Sequence, residues 1–458
     1  MSASPPPTLV LFGGRVLADA ESGGFAEAVA MSGDRITAVG GSREIRDTAS
    51  ASTRLIDLRG RLAIPAFGDA HVHPTGGGIE SLQCDLTGER SRKGYLDRVA
   101  EHAARAPEGA WVVGGGWSME SFPGGLPVGA DLDGPAGGRP VFLVNRDHHS
   151  GWASPAALRL AGIDRETPDP GDGRIERDAS GEPTGALHEG AMSLVQRILP
   201  RLDAAQVRAG LLAGQARLHS VGITHWQDAI VGGVAEIGVA DAYGAYSAAS
   251  EDGSLTGSVV GALWWDRHRG LEQIDELLSR REGAASAGFK ATSVKIMVDG
   301  VCETLTAAMT EPYSRPAGAS SGAPQDSSSH GTDGAHRGEL FIDPELLTAA
   351  VAALDAYGFQ VHFHVIGDRA ASVALDALAA LPAGRVERAR HHLAHLQFIR
   401  PEDVGRIGAL GAVANFQPLW ACRDPQMEEL TNPVVGPERE RWQYRIGSVW
   451  RSGGRVAF

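Results

Sequence analysis

From about residue 205 the chain alternates between two kinds of pattern. Short apolar runs of strand length fall at 221–228 (VGITHWQD), 257–264 (GSVVGALW), 293–299 (SVKIMVD), 359–365 (FQVHFHV), 391–396 (HHLAHL) and 411–416 (GAVANF). Between them lie stretches with helical periodicity. Examples are 205–219 (AQVRAGLLAGQARLH), 369–381 (RAASVALDALAAL) and 402–410 (EDVGRIGAL), the last led by Pro401 at a helix start. Strand, helix, strand, helix at this spacing predicts parallel βα units joined by right-handed crossovers. An earlier apolar run, 61–73 (RLAIPAFGDAHVH), supplies a strand at 66–72, and RVAF (455–458) reads as the beginning of an eighth. Eight is the number that closes a barrel. The predicted fold class is therefore α/β, a (β/α)8 barrel whose eighth strand is cut short.

Three segments fall outside the alternation. Residues 9–17, 28–39 and 54–58 read as short β segments broken by Gly and Asp turns, so 1–60 is expected to form a separate N-terminal β layer. The barrel is then expected over 61–458. Residues 75–200 lie between the first and second barrel strands and are too long for a loop, so they are assigned to an inserted subdomain. The tract 314–338 is rich in Ser, Gly and Pro and reads as a long flexible loop after the fourth strand.

Composition narrows the class of protein. The 458 residues carry 42 Lys plus Arg against 56 Asp plus Glu, a net charge of −14. Such a surface repels phosphate backbones and anionic lipid, so no nucleic-acid or membrane partner is expected. No run of eighteen apolar residues offers a membrane span, and the N-terminus lacks the basic and apolar regions of a signal peptide. Three distant cysteines, Cys84, Cys302 and Cys422, form no CxxC pair. They read as free thiols of a cytoplasmic protein.

The sixteen histidines matter more for where they fall than for their number. His71-Val72-His73 and His362-Phe363-His364 each end a predicted barrel strand. On a strand, residues i and i+2 face the same side, so both rings of each pair can point inward. His395 ends a third strand, and Lys295 sits inside the otherwise apolar fourth. A single strand histidine is more often a hydrogen-bonded core residue, and a single lysine more often snorkels to water. Together, at successive C-terminal strand ends where barrels keep their chemistry, the set points to a divalent metal.

These segments also resemble a known family. AIPAFGDAHVH (63–73), VKIMVDG (294–300), HFHVIGDRA (362–370) and RHHLAHLQ (390–397), in that order, are similar to signatures of the amidohydrolase superfamily. The branch they resemble is the YtcJ-like or amidohydrolase-3 branch, which includes N-substituted formamide deformylase. WVVGGGW (111–117) and VNRDHHSGWAS (144–154) extend the likeness into the insert. The resemblance implies a small β-sandwich beside the barrel and a site for one or two divalent metals, with zinc expected. It assigns His71, His73, Lys295, His364 and His395 as metal ligands, with Lys295 carrying a carbamate derived from CO2. It places Asp299, Gly300, Asp368, Arg369, His149, Trp117 and Trp152 near the substrate, with His149, Asp299 and Arg369 as catalytic candidates.

The expected function is hydrolysis of a non-peptide C–N bond in a small amide- or formamide-like substrate by metal-activated water. A homodimer is the default assembly. Relatives continue from the segment matching Arg455–Phe458 into a Ser-Asp pair whose aspartate is the expected general acid/base. Residues 1–458 are therefore read as a truncated member, with an open barrel edge and reduced or absent activity alone. Two alternatives stand beside this: another hydrolase on the same scaffold (ester, phosphotriester or deaminase), and a catalytically dead binding barrel.

Overall fold

The computed structural model describes residues 5–19, 22–170, 173–234, 239–314 and 336–458. Most of the predicted flexible tract, 315–335, lies outside the described residues. The chain divides into two compact units, Met1–Phe67 and Gly68–Phe458. The first holds a four-stranded and a three-stranded sheet. Their small cores are built on Val10, Ala28, Ala30 and Ile45 and on Val16, Val29 and Leu58.

The second unit is built on eight parallel strands in sequential order: β1 (Phe67–Val72), β2 (Ile223–Val231), β3 (Ser258–Trp264), β4 (Lys290–Met297), β5 (Gln360–Val365), β6 (His392–His395), β7 (Val413–Asn415) and β8 (Arg455–Ala457). Every strand predicted from the apolar runs is present. The edge expected to be open at the last strand is bridged by one backbone hydrogen bond rather than by a strand pair. β8 pairs with β7 in parallel register, and a single bond from the Ala70 N–H of β1 to the Phe458 carbonyl, at 2.8 Å, links it to β1, so the ring is nearly closed.

Strand alternation separates the core from the site. Val361, Phe363 and Val365 on β5 face outward into the large cluster formed with the surrounding helices, as do Val294 and Ile296 on β4. His362, His364 and Lys295 occupy the alternate positions and face the barrel interior. The helices start where the sequence signals them. Asp203 and Gln206 form a reciprocal capping box at Ala204–Ser220, and Pro401 opens Pro401–Leu410, which ends on the left-handed Gly411.

Helix α1 (Pro74–Leu82) leaves directly from His73 and crosses α2 (Ala204–Ser220) at close range. Gly78, Gly210 and Gly214 make the crossing possible. A Cβ at Gly78 would collide with the Gly210 carbonyl, and one at Gly214 with that of Pro74.

The insert between β1 and β2 carries its own six-stranded mixed sheet. Its order is Gly173–Arg177, Pro183–Glu189, Ser150–Ala153, Val141–Asn145, Val112–Trp117, Cys84–Asp85. Trp117 and Trp152 are fully buried in it against Phe122, and their indole N–H groups donate to the carbonyls of Leu143 and Val128. For both rings a place near the substrate and ordinary packing were even expectations; the structure shows them packed in the insert core.

Candidate metal centre

Register brings the predicted ligands together in layers. Lys295 on β4 pairs with His362 on β5, which pairs with His392 on β6. Two residues further along Met297 pairs with His364, and one residue beyond that Val365 pairs with His395. His71 and His73 join from β1. The ring centroid of His71 lies 5.1 Å from His73, 4.8 Å from His362 and 4.5 Å from His395, while His364 and His395 are 4.6 Å apart. Four of the five predicted ligands are thus a contiguous set of imidazoles. Lys295 is buried beside them, 3% exposed.

Burial decides the protonation of this group. It pushes His71 and His73 well below the usual histidine range, with the Lys295 charge acting in the same direction. His364 and His395 are lowered in the same way, His364 by burial and then by His395, His395 by burial and then by Lys295. Burial also lowers Lys295, to about 7, against the opposing charge of Asp228. The result is a nest of neutral ring nitrogens and an amine that readily loses its proton.

The donor set fits a divalent cation in kind. The His73 Nδ1 is buried with no hydrogen-bond partner, and His71 Nδ1 lies 2.8 Å from His362 Nε2, which leaves its Nε2 for another partner. Neutral imidazole nitrogens are ligands of choice for zinc and similar ions. Among the described residues, no three His, Cys, Asp or Glu side chains already form a finished coordination set.

The insert delivers a second group to the same place. His149, just before the strand Ser150–Ala153, lies 5.7 Å from His364 ring to ring, and its Nδ1 is 2.9 Å from Glu189 Oε1. Burial alone would lower His149, but the charge and hydrogen bond of Glu189 outweigh it and raise it to about 9. Glu189, which burial would raise, is instead lowered by His149. Thr306 Oγ1, on the loop after β4, also donates to Glu189 at 2.9 Å. His149 is therefore a buried cation beside a neutral histidine cluster.

Asp299 and Arg369 are placed differently. The Asp299 carboxylate accepts backbone N–H bonds from Ala308 (2.9 Å), Ile366 (2.9 Å) and Gly367 (2.7 Å). Burial pushes it up, to about 8, against these three donors, which favour the anion. It ties the loop after β4 to the turn that follows His364. Arg369 lies exposed at the start of the helix Asp368–Ala379.

Strained backbone concentrates here. His395 (φ 77°), Leu396 (φ 48°), Glu189 (φ 50°) and His148 (φ 67°) all occupy the left-handed region that non-glycine residues avoid. Glu189, Gln417 and the role of His362 are not singled out by sequence reasoning. His362 carried a signal, the i,i+2 spacing with His364. Glu189 carried none, because it meets His149 only through the pairing of two insert strands, Ser150 opposite His188.

A family model described as the amidohydrolase family matches residues 54–458. The chain belongs to the amidohydrolase family. Among relatives, this amidohydrolase is 28% identical over 425 residues to the Arabidopsis thaliana protein LONG AFTER FAR-RED 3, covering 91% of this chain and 70% of that one. It is 29% identical over 419 residues to the putative amidohydrolase YtcJ of Bacillus subtilis, covering 90% and 73%. It is 36% identical to the N-substituted formamide deformylase of Arthrobacter pascens over 173 residues, 37% of this chain and 32% of that one. The fold is shared with a crystal structure of a metal-dependent hydrolase from Pyrococcus furiosus, at a TM-score of 0.68 and 24% identity over 98% of this chain and 84% of that one. Membership makes this chain a hydrolase by family and suggests a divalent metal. Among the described residues no helix is long and apolar enough to cross a membrane.

Proposed function

We propose that this amidohydrolase cleaves a non-peptide C–N bond, amide or formamide-like, in a small-molecule substrate. The observation that carries the proposal is the convergence of His71, His73, His364 and His395, all neutral, around the buried Lys295. The likeness to N-substituted formamide deformylase supports the choice of bond. In this reading these four histidines and Lys295 hold one or two zinc ions. The low proton affinity of Lys295 suits it to carry a carbamate, since only the neutral amine adds CO2. When bound, the metal activates water for attack and polarises the scissile carbonyl.

The chain's own residues do the rest. His362 holds the His71 ring through Nδ1 and so presents its other nitrogen to the centre. His149, kept protonated by Glu189, is a charged donor that stabilises negative charge developing on the carbonyl oxygen. Asp299 acts at one remove, by pinning the backbone that leaves His364. Arg369 is exposed at the start of its helix and is given no step in this reading.

The test is a panel of N-formyl amines, simple amides and aryl esters, assayed with added zinc and again after chelation. Chelator-sensitive turnover of the C–N substrates is expected. Turnover confined to esters would replace the reading with an esterase on the same scaffold.

A further inference from the structure

The geometry points to Gln417 as a positioning residue that fixes the His395 ring through a hydrogen-bond chain starting at the main-chain carbonyl of Ala70. The inference rests on the metal-centre reading proposed above, and extends it to a residue on the loop after β7.

The chain has one unambiguous end. A backbone carbonyl can only accept, so the Asn415 side chain, 2.8 Å from Ala70 O, must present its NH2 there. That leaves Asn415 Oδ1 as an acceptor, and it receives Gln417 Nε2 at 3.2 Å. Gln417 is then oriented in turn, with Oε1 directed at His395 Nδ1 at 2.6 Å. An amide oxygen cannot donate, so Nδ1 carries the hydrogen. The lone pair of the neutral ring is therefore on Nε2. Each orientation follows from the one before, and the first strand's backbone thereby selects the tautomer of a ligand on the sixth.

A second contact limits rotation of the same ring. Trp420, three residues beyond Gln417, stacks on His395 at 5.1 Å between centroids and 16° between planes. The His395 backbone sits at φ 77°, so the ring reaches the cluster from a strained position that its neighbours must maintain. Gln417 and Trp420 form a clamp: one sets which nitrogen is bare, the other sets the ring plane. Outer partners of this kind orient metal-binding histidines, and their loss weakens metal affinity by about 10–100-fold.

The experiment uses the full chain with two variants. Gln417→Leu removes the acceptor at similar length, and Gln417→Glu keeps an acceptor opposite Nδ1. Zinc affinity is measured by competition with a chelator. The ring tautomer of His395 is measured by 15N NMR on metal-free protein, assigned by the signal lost in His395→Ala. Circular dichroism reports folding.

The expected results are an Nδ1–H tautomer in the wild type, zinc affinity about 10–100-fold weaker in Gln417→Leu, and affinity within a few-fold of wild type in Gln417→Glu. A folded Gln417→Leu that binds zinc as the wild type does would overturn the inference. So would an Nε2–H tautomer for wild-type His395, a result that stands even if Gln417→Leu does not fold. Absence of zinc uptake by the wild type would instead remove the metal-centre reading, while the tautomer still decides the role of Gln417.

Discussion

His149 and Glu189 form a buried ion pair within the insert, Nδ1 to Oε1 at 2.9 Å, and Thr306 from the loop after β4 donates to the same Glu189 oxygen. Each shifts the other away from what burial alone would impose. Breaking a buried pair by removing one charge leaves the other uncompensated, which costs about 3–5 kcal/mol. Glu189→Gln is therefore expected to lower both stability and turnover, the latter by about 100-fold if His149 no longer holds its proton.

The sign of the pH dependence follows from His149. Its value in the folded protein is raised from 6.5 to about 9, so its contribution is fully present below about 6.5 and is lost as pH rises towards 9. The stability gap between wild type and Glu189→Gln should be widest in mildly acidic buffer and narrow towards pH 9. Urea unfolding across that range measures it. A gap that widened with rising pH would contradict the assignment.

Asp299 offers a different test, because its three acceptor bonds are to the backbone of Ala308, Ile366 and Gly367. Asp299→Ala leaves three buried N–H groups without a partner, at about 1–3 kcal/mol each. Thermal unfolding should show a large loss for Ala and a smaller one for Asp299→Asn, which keeps one acceptor oxygen. A variant with normal stability and no activity would instead favour contact with the substrate.

The helix crossing below His73 is testable at Gly214, where a Cβ would meet the Pro74 carbonyl. Gly214→Ala forces α1 and α2 apart, an overpacking cost of about 1–3 kcal/mol. Since Pro74 follows His73 directly, zinc affinity should fall along with the melting temperature. Unchanged affinity would mean that the His73 position does not depend on the crossing.

Much of the barrel was legible in the sequence because its signals are local. Alternating apolar runs marked all eight strands, and the i,i+2 histidine pairs marked the interior face of β1 and β5. What the sequence did not reveal depends on closure and on docking of the insert. Ala70 meets Phe458 across the whole chain, so the last strand's pairing could not be read from its four residues. Glu189 meets His149 only because two insert strands lie side by side, with Ser150 opposite His188. Trp117 and Trp152 look alike in sequence whether they line a pocket or fill a core, and only their buried N–H partners decide it. Asp299 likewise has the residue type of a catalytic acid and the bonds of a structural acceptor.

The central claim is that His71, His73, Lys295, His364 and His395 together hold metal. Elemental analysis of purified protein after zinc incubation and desalting tests it most directly, with His71→Ala and His364→Ala as folded controls. The account predicts one or two equivalents in the wild type and a marked loss in both variants. No stoichiometric metal in the wild type, or equal metal in all three proteins, would contradict it.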